Sequence, residues 1–334
     1  MMKNGLINHE AVNGDNMLSS ADYEREAERI HKAVKGLGTD EKTIIDALSR
    51  LRVEERAELQ RAYRRQYNKP LLDVLRSETS GDFKEILEFL MQDSSDTDAF
   101  VLHEALKGKK KDMDLVNGII IGSKYENLVF GTEITYSRKQ NRLLKDDIAS
   151  ELKPRGHHRE LLYCILMKAR ETDNILSDDP LFDAQTLYEC GPKHAYANTR
   201  KYIEILTNRS IPHLHQVFDI FPQIADGMTI EESIKFEFDD PNEQKAFLTL
   251  VNYIRNPYRF YADQLHNAFV KSNNRALSRT IVYLADNHLL ERVNQEFQQN
   301  YRSSLEVVIK RETSGDHKRL LVALLTKHQG PDHS

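Results

Sequence analysis

Two glycines one residue apart, Gly36 and Gly38, lie in the stretch Val34-Lys35-Gly36-Leu37-Gly38-Thr39-Asp40-Glu41. Glycine adopts positive φ without steric cost, so this stretch can turn several backbone carbonyls outward together. A carboxylate, Glu78, follows 42 residues after Gly36 (78 − 36 = 42). Carbonyl and carboxylate oxygens are hard ligands, and the chemistry they suit is Ca²⁺ binding.

The elements that position these groups follow from a repeat. Glu78 opens the pentapeptide Glu78-Thr79-Ser80-Gly81-Asp82, which recurs as Glu312-Thr313-Ser314-Gly315-Asp316, 234 residues later (312 − 78 = 234). After the first copy, Phe83, Ile86, Leu87 and Leu90 fall at i, i+3, i+4 and i+7, one apolar stripe of a helix. Leu320, Leu321 and Leu324 repeat the last three. Ser80 and Ser314 are expected to cap these helices, and Asp82 and Asp316 suit their positive ends. Capping leaves Glu78 and Glu312 unexplained. Glu151 and Glu237 stand before two weaker copies, giving spacings of 73, 86 and 75 residues.

The chain therefore reads as four units: 20–92, 93–168, 181–255 and 256–328, with a linker at 169–180 and a polar tail at 1–19. In the first unit the pattern predicts five helices. Ala21–Val34 forms the first. The second is capped by Thr39 or Asp40 and carries Ile44, Ile45, Leu48 and Leu51. RVEERAELQRAYRRQY, LLDVLRS and DFKEILEFLM supply the rest. No sustained alternation argues for strands, and the fold class is all-α.

The run K-G-L-G-T-D-E followed by S-E-T-S-G-D, in four units, resembles the annexin family over roughly residues 20–326. The resemblance implies four five-helix repeats in a curved disc. The loops between first and second helices would lie on its convex face beside those between fourth and fifth. It implies Ca²⁺-dependent binding to anionic phospholipid, and no enzymatic activity. By matching positions, the carbonyls of Val34, Gly36 and Gly38 and the carboxylate of Glu78 would hold the main Ca²⁺. Thr39 and Glu41 would hold an accessory ion. Alone, one carboxylate with neutral carbonyls makes a weak site, about 10⁻⁴–10⁻³ M. Lipid phosphate would supply the missing ligands, so ion and membrane would each strengthen the other's binding.

The other units depart from the pattern. The second has Lys107-Gly108-Lys109-Lys110-Lys111, the third Gly191-Pro192-Lys193-His194, and the fourth Lys271-Ser272-Asn273-Asn274-Arg275. Neither glycine survives in the fourth unit, where asparagine tolerates a left-handed backbone. Glu312 remains there as a further Ca²⁺ candidate. The replacements add positive charge. Lys107, Lys109, Lys110, Lys111, Lys193, Lys271 and Arg275 are expected to contact an anionic leaflet directly, at about 1 kcal/mol each. A second reading, motivated by the same degeneracy, is a scaffold or cytoskeleton-associated helical protein whose binding is largely calcium-independent.

Composition sets the outer limits. Of 334 residues, 40% are hydrophobic and 30% charged, with a net charge of −5. That balance disfavours nucleic-acid binding. Two cysteines make no disulfide framework. The N-terminus lacks a signal-peptide core, so the chain reads as cytoplasmic and peripheral at membranes, with non-classical secretion left open. Expected partners are an anionic phospholipid surface, a protein at the N-terminal tail, and further copies of the chain on the membrane. Asp93–Asp98 imitates an EF-hand loop but lacks its glycine, and is read as a helix cap. His157, His158, His213 and His215 are read as surface or packing residues, Cys164 as core, and Arg50 and Arg209 as binding helix-end carbonyls.

Overall fold

The structure, a computed structural model, describes residues 18–36, 38–109, 111–123, 131–167, 170–171, 179–194 and 197–327. Most of the expected tail and linker, Leu37 and Lys110 lie outside the described residues. Twenty helices account for most of the described chain, with no strand among the described residues.

They fall into four sets of five. The first holds α1 (Ser20–Ala33), α2 (Glu41–Leu48), α3 (Val53–Tyr67), α4 (Leu71–Glu78) and α5 (Gly81–Met91). The second holds α6 (Ser94–Lys107), α7 (Met113–Gly122), α8 (Glu133–Gln140), α9 (Leu144–Glu151) and α10 (His157–Met167). The third holds α11 (Pro180–Glu189), α12 (Thr199–Asn208), α13 (Ile211–Ile224), α14 (Ile230–Glu237) and α15 (Pro241–Arg255). The fourth holds α16 (Pro257–Val270), α17 (Asn274–Asp286), α18 (Leu290–Tyr301), α19 (Leu305–Glu312) and α20 (Gly315–Lys327).

Local chemistry sets the helix limits. Ser19 and Asp22 form a reciprocal capping box at the start of α1. Asp93 caps α6 through the Asp96 N–H, so the EF-hand imitation is a cap. α3 ends at Asn68, whose φ of 52° is left-handed backbone that asparagine tolerates. The apolar stripes turn inward: Ile30, Ile44, Leu48, Leu59, Leu75, Ile86 and Leu90 are buried in the first set.

Neighbouring sets are joined by packing and by buried charge. α5 packs on α17 and α20, and α7 on α15. Arg56 is buried, and its guanidinium donates to Leu90 O (2.7 Å), Leu51 O (2.6 Å) and Asp286 Oδ1 (2.6 Å), tying α3 to α17. Arg279 donates to both oxygens of Asp98, at 2.7 and 2.9 Å, tying α17 to α6. Two expectations are corrected here. Arg50 and Arg209 have carboxylate partners where helix-end carbonyls were expected: Arg50 reaches Glu26 at 2.5 Å and Arg209 reaches Asp183 at 2.6 Å. In each case tertiary packing brings a carboxylate from another helix within reach, Glu26 of α1 and Asp183 of α11. The carbonyls of Leu206 and Arg209 accept instead from Arg170.

The histidines pack as expected. His158 Nε2 meets Asn117 Oδ1 at 2.7 Å, His157 Nδ1 meets Glu243 at 3.0 Å, and His213 meets Asp183 at 2.9 Å. His215 bonds Ile254 O at 2.6 Å, and Cys164 is buried. No helix among the described residues is long and apolar enough to cross a membrane.

Candidate calcium site

All four glutamates singled out by the repeat end a helix. Glu78, Glu151, Glu237 and Glu312 are the last residues of α4, α9, α14 and α19, each eight residues long. A carboxylate at a helix C-terminus faces the negative end of the macrodipole and the unpaired carbonyls there. The position is unfavourable for the helix alone and favourable for a nearby cation. The four units differ in what meets that carboxylate.

In the first unit, Asp40 N–H donates to Ala33 O at 2.8 Å and closes the loop, and Asp40 caps α2 through Thr43. Inside the loop Gly36 has φ of 131° and Gly38 of 92°. A Cβ at either would meet nothing within 4 Å, so glycine is needed there for backbone conformation and not for room. The carbonyls of Val34, Gly36 and Gly38 accept no hydrogen bond among the described residues. Thr39 Oγ1 donates to Glu78 O at 3.2 Å, which draws the loop against the end of α4. Glu78 is exposed, and its carboxylate has no partner among the described residues. Glu41 opens α2 beside them.

The second unit closes its loop the same way, Asp112 N–H to Ala105 O at 3.0 Å. Its carboxylate is already met by cations. Lys107 Nζ donates to Glu151 Oε1 at 2.7 Å, and Lys111 binds Glu151 Oε2. These two ammonium groups hold the Glu151 carboxyl below its ordinary range. In the third unit Glu237 is buried, accepting from the Lys193 N–H at 2.7 Å and facing His194 Nε2 at 3.1 Å. A Cβ on Gly191 would strike the Glu237 carboxylate at 2.6–2.9 Å, so this glycine makes room for the glutamate.

The fourth unit closes from Asn273 N–H to Ala268 O, a span of five residues (273 − 268 = 5) against seven in the first (40 − 33 = 7). The shorter loop has one left-handed residue, Ser272 at φ 50°, and not the asparagine expected from sequence. Glu312 accepts from Arg311 Nε at 2.6 Å.

The pentapeptide has a structural logic that sequence reading caught in part. Thr79 and Thr313 each donate a hydroxyl to the carbonyl four residues back, both at 2.6 Å. Gly81 and Gly315 enter the next helix at φ of 59° and 63°. Ser80 holds the N-cap position but makes no side-chain cap bond. Its φ of −146° is far from the −73° and −76° of the capping Ser19 and Ser304.

Five of the basic residues expected at a membrane have internal carboxylate partners. Lys107 and Lys111 share Glu151, Lys193 reaches Asp239 at 2.8 Å, and Lys271 binds Asp114. Arg275 reaches Glu85 at 2.7 Å and Glu104 at 3.5 Å. Lys109 is exposed and forms no ion pair among the described residues.

Comparison with known proteins converges on one family. The annexin family model matches residues 25–90 and 260–324, the two stretches that carry the repeated pentapeptide. The chain is 32% identical over 306 residues to annexin A5 of Macaca fascicularis, covering 91% of this chain and 94% of that protein. A solved structure of annexin A8 with an intact N-terminus superposes with a TM-score of 0.83 at 30% identity, covering 94% of this chain and 97% of that one. Calcium-bound annexin (Sm)1 superposes with a TM-score of 0.78 at 25% identity, covering 91% and 90%. With that identity sustained across nine-tenths of its length and the same helical architecture, this chain belongs to the annexin family.

Proposed function

We propose that this protein binds anionic phospholipid surfaces in response to Ca²⁺, with the first unit as the ion-dependent switch. It belongs to a family whose members generally bind phospholipid in a calcium-dependent way. The observation that carries the finer reading is the state of the four helix-ending glutamates. Glu151, Glu237 and Glu312 are each met by groups of this chain, whereas the Glu78 carboxylate is met by no group among the described residues. Its carboxylate stands beside a loop in which the Val34, Gly36 and Gly38 carbonyls accept no hydrogen bond among the described residues and whose two glycines hold positive φ. That donor set fits a hard divalent cation. Val34, Gly36, Gly38 and Glu78 would hold it, with Thr39 and Glu41 nearby for an accessory ion. The bound ion would supply positive charge to a lipid phosphate. In the fourth unit Glu312 would need to leave Arg311 to take part.

The paired lysines change the expected electrostatics. Lys107, Lys111, Lys193, Lys271 and Arg275 offer a leaflet less net charge than their number suggests, because each faces a carboxylate. Among the described basic residues, direct contact without Ca²⁺ rests chiefly on Lys109. The scaffold reading draws on the three glutamates that are satisfied internally.

The test is co-sedimentation with phosphatidylserine vesicles across a Ca²⁺ titration, comparing wild type, Glu78→Gln and Glu151→Gln. Ca²⁺-dependent pelleting that Glu78→Gln abolishes or shifts strongly, and Glu151→Gln leaves in place, is expected. Pelleting indifferent to Ca²⁺ and to Glu78 would overturn the switch. Absence of pelleting in every condition would favour the scaffold reading.

A further inference from the structure

Residues 271–275 occupy in the fourth unit the place of the glycine loop in the first, and their side chains reach outside their own unit. Lys271 binds Asp114 in the second unit, and Asn273 Nδ2 donates to Asp112 Oδ2 at 2.8 Å. Asn274 Nδ2 donates to Asp82 Oδ2 at 2.6 Å, and Arg275 Nε to Glu85 Oε1 at 2.7 Å, both in the first unit. The loop walls a cleft of about 880 Å³ whose lining comes from all four units.

Asp82 and Glu85 lie on the first turns of α5, four and seven residues after Glu78 (82 − 78 = 4, 85 − 78 = 7). The Glu78 carboxylate has no partner of its own, so its place depends on the backbone at both sides. On one side α4 and the Thr39 hydroxyl fix it. On the other side Ser80 contributes no cap, and the start of α5 is held from the fourth unit instead. The identical pentapeptide in the fourth unit is held differently: Asp316 pairs with Arg319 on its own helix at 2.7 Å.

We propose that Asn274 and Arg275 of the fourth unit are positioning residues for Ca²⁺ capture by Glu78 in the first. They fix the opening turns of α5 and with them the turn that presents the carboxylate. The inference rests on the reading of Glu78 given above. A weak site with one carboxylate depends on preorganisation, and residues that orient ligands from outside are worth roughly 10–100-fold in metal affinity. The contacts are partly exposed, so their loss costs the fold little.

The experiment is vesicle co-sedimentation of the full chain across a Ca²⁺ titration, using Asn274→Ala and Arg275→Met alone and in a Glu78→Gln background, with thermal melting alongside. Each single variant is expected to keep its helical signal and raise the Ca²⁺ midpoint by up to about 10-fold, the low end for outer positions. In the Glu78→Gln background neither is expected to change whatever binding remains. A wild-type midpoint in the folded variants overturns the proposal, as does an equal shift without Glu78. If Arg275→Met loses its helical signal, Asn274→Ser at its half-buried position decides by the same criteria. If Glu78→Gln itself changes nothing, the inference falls together with the reading beneath it. If Glu78→Gln acts and the fourth-unit variants do not, the inference alone falls.

Discussion

Glu78 and Glu312 open identical pentapeptides and end helices of identical length, yet Glu312 accepts from Arg311 at 2.6 Å and Glu78 has no side-chain partner among the described residues. The difference lies in the residue before: Arg311 in one copy, Ser77 in the other, whose hydroxyl turns back to Val74 O at 2.8 Å. A carboxylate at the negative end of a helix is relieved by any cation within reach, at about 0.3–1 kcal/mol for an exposed site. Three units supply their own partner. In the first, no group among the described residues meets the carboxylate.

The loop glycines give a prediction that separates conformation from packing. Gly36→Ala and Gly38→Ala meet no atom, so the cost is the positive φ alone, about 1–2 kcal/mol per residue. The strained loop relaxes away from its binding form, and the Ca²⁺ midpoint for vesicle binding is expected to rise about 5–30-fold. Vesicle titration with a parallel thermal melt checks this. An unchanged midpoint would mean that this loop conformation is not the one that binds.

Arg56 tests how the first and fourth units are held together. Its guanidinium serves two carbonyls and Asp286, and burial raises the pKa of that carboxyl despite the nearby charge. Removing one partner of a buried pair leaves the other uncompensated. Arg56→Ala is therefore expected to cost about 3–5 kcal/mol in urea unfolding. A loss below 1 kcal/mol would show that water or a rearranged neighbour satisfies Asp286.

Acid should weaken the fold through two buried histidines. Burial lowers the pKa of His158 and His317 below the usual 6.5, against smaller opposing effects of Glu243, Asp240 and Asp114 on the first and Asp82 on the second. The unfolded chain then takes up protons that the folded chain refuses, so stability is full above pH 6.5 and falls as pH drops below it. The slope is at most about 1.4 kcal/mol per pH unit for each histidine. Urea unfolding at pH 7.5 and 5.5 measures it. His317→Gln, which can still bond Ser278, is expected to flatten the dependence.

Local order was readable from sequence because its causes are local. The stripe of Ile44, Ile45 and Leu48, the cap at Asp40 and the breaks at Asn68 and Pro70 each act within a few residues. The glutamates were readable because a fixed spacing repeats. The fate of those glutamates was not. Whether Lys107 and Lys111 face outward or fold onto Glu151 depends on side chains 40 residues and more apart meeting in space. The shortened fourth loop was also hidden, because Lys271-Ser272-Asn273 aligns by residue type with a longer stretch. Arg50 and Arg209 were misassigned for the same reason: a helix-ending arginine chooses among partners that only tertiary packing brings near.

The bond from Asn274 to Asp82 spans 192 residues. A ribosome adds about 5–20 residues per second, so the fourth unit's half of that contact emerges about 10–40 s after the first unit's half. During that interval the first unit can form its helices and present its glycines, but the opening turn of α5 has no hold from beyond. A nascent or truncated chain ending in the third unit would thus carry every proposed ligand of the first-unit site and lack the part that steadies the carboxylate. The protein's full sensitivity to calcium would be reached only with the completion of its synthesis.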